Sequence, residues 1–114
     1  VKISNAVLCV NQNKLGLTIF WRAQEKPDAD LSVFVHLLAA DDSVIAQADS
    51  SAPVYGWYPT TRWSAGEVVI DQYQLPRLRD GVKVRFGMYA QPSPGQFKNY
   101  GETTKYVPTV ANCS

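Results

Sequence analysis

Apolar and polar residues alternate with a period of two along most of this chain, and clusters of Gly, Pro, Asn, Asp and Ser break the alternation at near-regular intervals. Neighbouring side chains of a β-strand leave on opposite faces, so this period predicts strands that bury one face and wet the other. The alternation is weak over 3–10 and clear over 15–22, where Leu15, Leu17, Ile19 and Trp21 share one face and Thr18 and Arg22 the other. Residues 31–39 place Leu31, Val33, Val35 and Leu37 on one side and Phe34, His36 and Leu38 on the other, which predicts cover on both faces. Further strands are predicted over 44–49, 66–75, 82–90 and 97–110. Between them lie Asn11-Gln12-Asn13, Glu25 to Asp30, Asp41-Asp42-Ser43, Pro76 to Gly81 and Pro92 to Gly95, all with turn chemistry. No stretch carries a capped 3.6-residue stripe. The expected fold is all-β: a single antiparallel β-sandwich of about seven or eight short strands, immunoglobulin-like or jelly-roll, with little or no helix.

The 114 residues suit one domain over 1–114 with a self-sufficient core. Eleven basic residues against ten acidic ones leave a net charge of +1, and the basic residues are scattered. A nucleic-acid groove needs a basic excess gathered on one face, so no nucleic-acid partner is expected. No apolar run approaches the ~20 residues that span a bilayer, so membrane insertion by this segment is not expected either. The opening Val1-Lys2-Ile3-Ser4 is neither an initiator Met nor a signal peptide. It fits a mature product or, preferably, a domain cut from a longer chain, for which a membrane-anchored parent stays open.

The two cysteines, Cys9 and Cys113, stand near opposite ends of the sequence. First and last strands of a sandwich often lie close together, so a staple between them is geometrically reasonable. In the loop-entropy view, closing about 100 residues contributes on the order of 4–5 kcal/mol. The bridge would imply an extracytoplasmic location, periplasm-like or at the cell surface. The alternative is one buried thiol and one exposed thiol. Their spacing, with a single histidine, excludes a zinc site of the paired-cysteine type.

Few residues offer chemistry. His36 is the only histidine and sits mid-strand among apolar residues, where a hydrogen-bonded structural role outweighs a ligand contact. A triad of His36 and Asp49 with Ser50 or Ser51 lacks the nucleophile-elbow pattern. Asp49, Glu67 and Asp71 are read as structural carboxylates paired with Arg22 or Arg62. A Ca²⁺ site from Asp41, Asp42 or Asp71 has no EF-hand-type loop behind it. No catalytic residue, metal or cofactor is expected, and the chain is read as a non-enzyme. The most informative stretch is 50–65, where Pro53, Gly56 and Pro59 prevent regular pairing and Tyr55, Trp57, Tyr58 and Trp63 crowd together. Aromatic faces on a loop stack on sugars or partner side chains at low entropy cost. The competing reading is a lid that closes one end of the core, with Trp63 as its plug.

From about residue 15 to residue 90 the chain also resembles a bacterial domain type. The carrying residues are Leu15, Leu17, Trp21, Arg22 and Ala23; Val33 to Leu37; Ala46, Gln47 and Asp49; Pro59, Thr60, Trp63, Gly66, Glu67, Val68, Val69 and Asp71; and Gly87, Met88 and Tyr89. Domains with these motifs resemble the β-sandwich appended to multi-pass membrane glycosyltransferases of the dolichyl-phosphate-mannose mannosyltransferase type, and also occur in uncharacterised surface proteins. The usual Asp-Gly hairpin is Asp42-Ser43 here, the tail after Tyr89 departs, and both cysteines lie outside the matched region. The resemblance implies a sandwich and assigns no activity.

The expected function is a non-catalytic extracytoplasmic accessory or interaction module, a subunit or domain of a surface assembly, with a protein partner. The alternative is a carbohydrate-binding module. Candidate binding residues are Tyr55, Trp57, Tyr58, Arg62, Gln47 and Asp49; structural ones are Trp21, His36, Trp63, Asp71, Cys9 and Cys113.

Overall fold

A computed structural model describes the backbone of residues 1–11, 14–76, 82–93 and 96–106, and the side chains of 1–10, 14–76 and 82–90. The strands are β1 (Lys2–Asn11), β2 (Lys14–Arg22), β3 (Ser32–Leu38), β4 (Val44–Gln47), β5 (Val68–Pro76), β6 (Lys83–Ser93) and β7 (Gln96–Tyr106). Among the described residues the one helical piece is a 3-10 turn at Thr60–Arg62. The predicted strands thus appear in order, with ends shifted by a few residues. Strand β6 continues through Ser93, where the sequence predicted a turn from Pro92. A register shift between Ala90 and Ser93 accommodates Pro92, which has no N–H to give to a ladder.

Two antiparallel sheets result, one ordered β1-β2-β5 and the other β4-β3-β6-β7. Their inward residues form one hydrophobic cluster. Leu15, Leu17, Ile19 and Trp21 of β2 and Val69, Tyr73 and Leu75 of β5 join Val33, Val35 and Leu37 of β3 and Val84, Phe86 and Met88 of β6. Strand β5 buries every second residue, from Val69 through Asp71 and Tyr73 to Leu75. Burying a large apolar side chain contributes about 1.5–3 kcal/mol, so these few strands carry most of the stability. The predicted cover on the second face of β3 is uneven. Leu38 is fully buried there, while Phe34 and His36 are half-buried.

Irregular segments are fastened to the sheets by side chains. Thr60 is fully buried, accepting from the Leu31 amide at 3.0 Å and donating to the Ala29 carbonyl at 2.6 Å. Lys26 Nζ donates to the carbonyls of Thr61 and Trp63, closing the open end of the 3-10 turn. Cys9 is half-buried on β1, and no described cysteine is a free thiol. Cys113 lies outside the described residues, and so does the pairing expected of it. No described helix is long and apolar enough to cross a membrane.

Candidate functional site

The segment from Ala48 to Pro59 leaves β4, the edge of one sheet, and comes to rest along β5, the edge of the other. The attachment begins inside strand pairing. The β3–β4 register carries on past Gln47: Ala48 N–H donates to the Val35 carbonyl at 2.9 Å, Val35 N–H turns to the Asp49 carboxylate at 2.9 Å, and Val33 and Ser50 exchange both backbone bonds. The same oxygen, Asp49 Oδ1, stands 3.4 Å from His36 Nε2. His36 is also tilted against the Phe34 ring at 5.3 Å, in keeping with its structural assignment. Ser50 Oγ donates to the Ala52 carbonyl at 2.5 Å, so this hydroxyl is engaged with the backbone and not with His36.

The next residues form a left-handed turn. Val54, Tyr55 and Gly56 have φ of 54°, 56° and 84°, closed by hydrogen bonds from Gly56 N–H to the Ala52 carbonyl and from Trp57 N–H to the Val54 carbonyl. Glycine is at ease there, but a β-branched Val and a Tyr are not, at a cost on the order of 1–3 kcal/mol each. What holds them is Asp71. This carboxylate is 1 % exposed, and its Oδ1 accepts Val54 N–H at 2.9 Å. Its Oδ2 accepts Trp21 Nε1–H at 3.1 Å and the Tyr73 hydroxyl at 2.7 Å. Burial first, then the charge of Asp71, pushes the Tyr73 phenol far above its ordinary value. The predicted Arg partner is therefore wrong for Asp71. Three neutral donors hold the carboxylate in its place. Arg22 and Arg62 are exposed.

The four aromatics divide. Trp63 is fully buried and donates Nε1–H to the Tyr58 carbonyl at 3.1 Å, the plug that the sequence suggested. Tyr58 is half-buried with its ring 6.1 Å from Trp63, and its hydroxyl donates to Glu67 Oε2 at 2.7 Å. That bond lifts the Tyr58 pKa, while the Ser64 amide first and the Tyr58 hydroxyl second hold the Glu67 carboxyl below its usual range. Tyr58 is thus better placed as a brace than as a stacking platform, and Glu67 is bound by Ser64 and Tyr58, not by the exposed Arg22 or Arg62. Tyr55 and Trp57, by contrast, are 66 % and 81 % exposed. As the segment's numbering falls from Tyr58 through Val54 to Ser50, its neighbours rise from Glu67, just before β5, through Asp71 to Gln74, so the segment runs antiparallel beside that strand.

Between segment and strand runs a groove of about 420 Å³ lined by Ala48, Asp49, Ser50, Tyr55, Tyr73 and Gln74. Of the predicted binding residues, Tyr55 and Asp49 meet in this groove, and Trp57 stands on the same turn as Tyr55. Gln47 is exposed at the end of β4 opposite His36, and Arg62 is exposed on the 3-10 turn; neither lines the groove. Ser50, Tyr73 and Gln74 were not foreseen as binding residues, because period two marks which face a strand residue takes, not which loop comes to lie beside it.

No known protein family, curated protein or solved structure matches this chain, so nothing in these comparisons links it to glycosyltransferase-appended domains.

Proposed function

We propose that the chain is a non-catalytic extracytoplasmic interaction module, an immunoglobulin-like sandwich that presents its 50–59 segment to a protein partner in a surface assembly. The carrying observation is the exposure of Tyr55 and Trp57 on a turn whose backbone is fixed from beneath by Asp71. Exposed aromatics on a rigid mount make strong contact points, since little side-chain or loop freedom is left to lose on binding.

Other features support parts of the same reading. The sheet order β1-β2-β5 and β4-β3-β6-β7, with hairpins inside sheets and three crossings between them, suits an immunoglobulin-like sandwich. The absence of a free thiol at Cys9 suits a bridge to Cys113 and an oxidising compartment. Ser50 spends its hydroxyl on Ala52, which speaks against nucleophilic chemistry at His36. Attachment to a membrane-anchored glycosyltransferase, as the motif resemblance implies, belongs to the proposal too.

The test is affinity capture from the native envelope with the wild-type chain and with a Tyr55→Ala/Trp57→Ala double variant of confirmed fold. A partner held by the wild type and lost by the variant is the expected result. Recovery of the same proteins by both would sink the assignment of this surface.

A further inference from the structure

The groove beside Tyr55 has a chemistry of its own, and we infer that it is a binding site for one hexopyranose ring of a neutral glycan. This rests on the reading of the 50–59 segment as a recognition surface and narrows the protein partner to one that carries a neutral glycan. A pyranose has an apolar face of axial C–H groups and a rim of hydroxyls. It is held best by a flat ring on one side and fixed hydrogen-bonding groups at the edge. Tyr55 supplies an exposed aromatic face, set by a backbone that is already left-handed. Asp49, Ser50 and Gln74 supply the polar wall, and the volume of about 420 Å³ lies within the usual range of small-ligand sites.

Asp49 is the polar anchor. Strand β3 fixes it, since Oδ1 accepts from Val35 N–H and stands next to His36. The contacts described for Asp49 all fall on Oδ1, so Oδ2 is left for sugar hydroxyls, which donate well to a carboxylate. Gln74 has an amide that both donates and accepts, so it suits a hydroxyl in either sense. The carboxylate also sets the charge preference: it attracts hydroxyl donors and repels uronic or sialic acids. Trp57, on the same turn, provides a ring for the next sugar of a chain.

The experiment uses methyl hexopyranosides in ligand-observed NMR, followed by an array of neutral, uronic and sialylated oligosaccharides. Wild-type protein is compared with Tyr55→Ala, Asp49→Asn and Trp57→Ala. Asn at position 49 keeps an oxygen for the Val35 amide, and circular dichroism verifies each fold. Neutral glycans are expected to bind, with at least about ten-fold loss in both Tyr55→Ala and Asp49→Asn, the equivalent of about 1.4 kcal/mol. Absence of binding to any neutral glycan, preference for acidic glycans, or binding unchanged in those two variants overturns the inference. Capture of a protein that depends on Tyr55 and Trp57 but not on Asp49 would leave the interaction module standing while the sugar site falls.

Discussion

The indole of Trp21 on β2 donates its Nε1–H to Oδ2 of Asp71 on β5 at 3.1 Å, joining two strands of one sheet through a carboxylate inside the core. The Tyr73 hydroxyl and the Val54 amide complete the set. A buried carboxylate without a cation survives only where every lone pair in reach has a donor, and here the donors come from two strands and the crossing segment.

Asp71→Asn keeps the size but turns one acceptor oxygen into a donating NH₂, which must then face Val54 N–H or the Trp21 and Tyr73 donors. A cost of about 3 kcal/mol is expected, the range for losing hydrogen bonds to a charged group and stranding a buried donor. Urea unfolding measures it. A loss below about 1 kcal/mol would show that the amide is accommodated and that Asp71 does not hold the turn.

Tyr55→Gly separates stability from recognition. The ring is 66 % exposed, so little burial is lost, while the left-handed φ of 56° becomes unstrained. A gain of about 1 kcal/mol in stability is expected alongside loss of binding at the groove. Lower stability in the variant would mean that the ring contributes more by packing than the turn costs.

Acid should weaken the fold through Glu67. Its folded pKa lies below the ordinary 4.5, owing to the Ser64 amide and then the Tyr58 hydroxyl. A depressed carboxylate contributes stability that is present above the unfolded value and is lost as pH falls through the folded one. Thermal melts from about pH 6 downward should therefore show a decline beginning near 4.5 that is shallower in Glu67→Gln. Asp42, lowered by its hydrogen bond to Lys83, contributes in the same direction, so Lys83→Met should also flatten the acid limb. Equal slopes in all three proteins would remove both pairs from the account.

At the alkaline end the sign reverses. Tyr73 has a raised pKa, so its contribution is complete below the unfolded value of 10 and is lost as pH rises beyond it. Of the six tyrosines, Tyr73 is expected to ionise only when the chain unfolds, giving a slow phase in ultraviolet titration that Tyr73→Phe abolishes. Immediate ionisation of every tyrosine would show that the phenol is open to solvent.

Alternation made the strands legible because one buried face per strand is written directly into the order of residues. Leu15, Leu17, Ile19 and Trp21 were assignable from sequence and are all buried. The segment between β4 and β5 was legible only as an interruption. Nothing in Pro53-Val54-Tyr55-Gly56 announces that a β-branched residue will take a left-handed angle, because the cause is Asp71, 17 positions away. For the same reason Tyr58 and Trp57, neighbours in sequence and alike in chemistry, could not be told apart: the partner that turns Tyr58 inward is Glu67. Asp49 was singled out as a candidate, but its place in the groove depends on a side-chain bond to the Val35 amide that propensity does not encode.

The crossing segment has one further consequence, for colloidal behaviour. A free sheet edge is a row of amides ready to add a strand from another molecule. By lying along β5 the segment blocks that addition with turns, Pro53 and three left-handed residues, none of which can template a new ladder. Shortening it would therefore do more than erase a surface feature: it would leave a bare edge, and self-association into fibrils would be the first fault to appear.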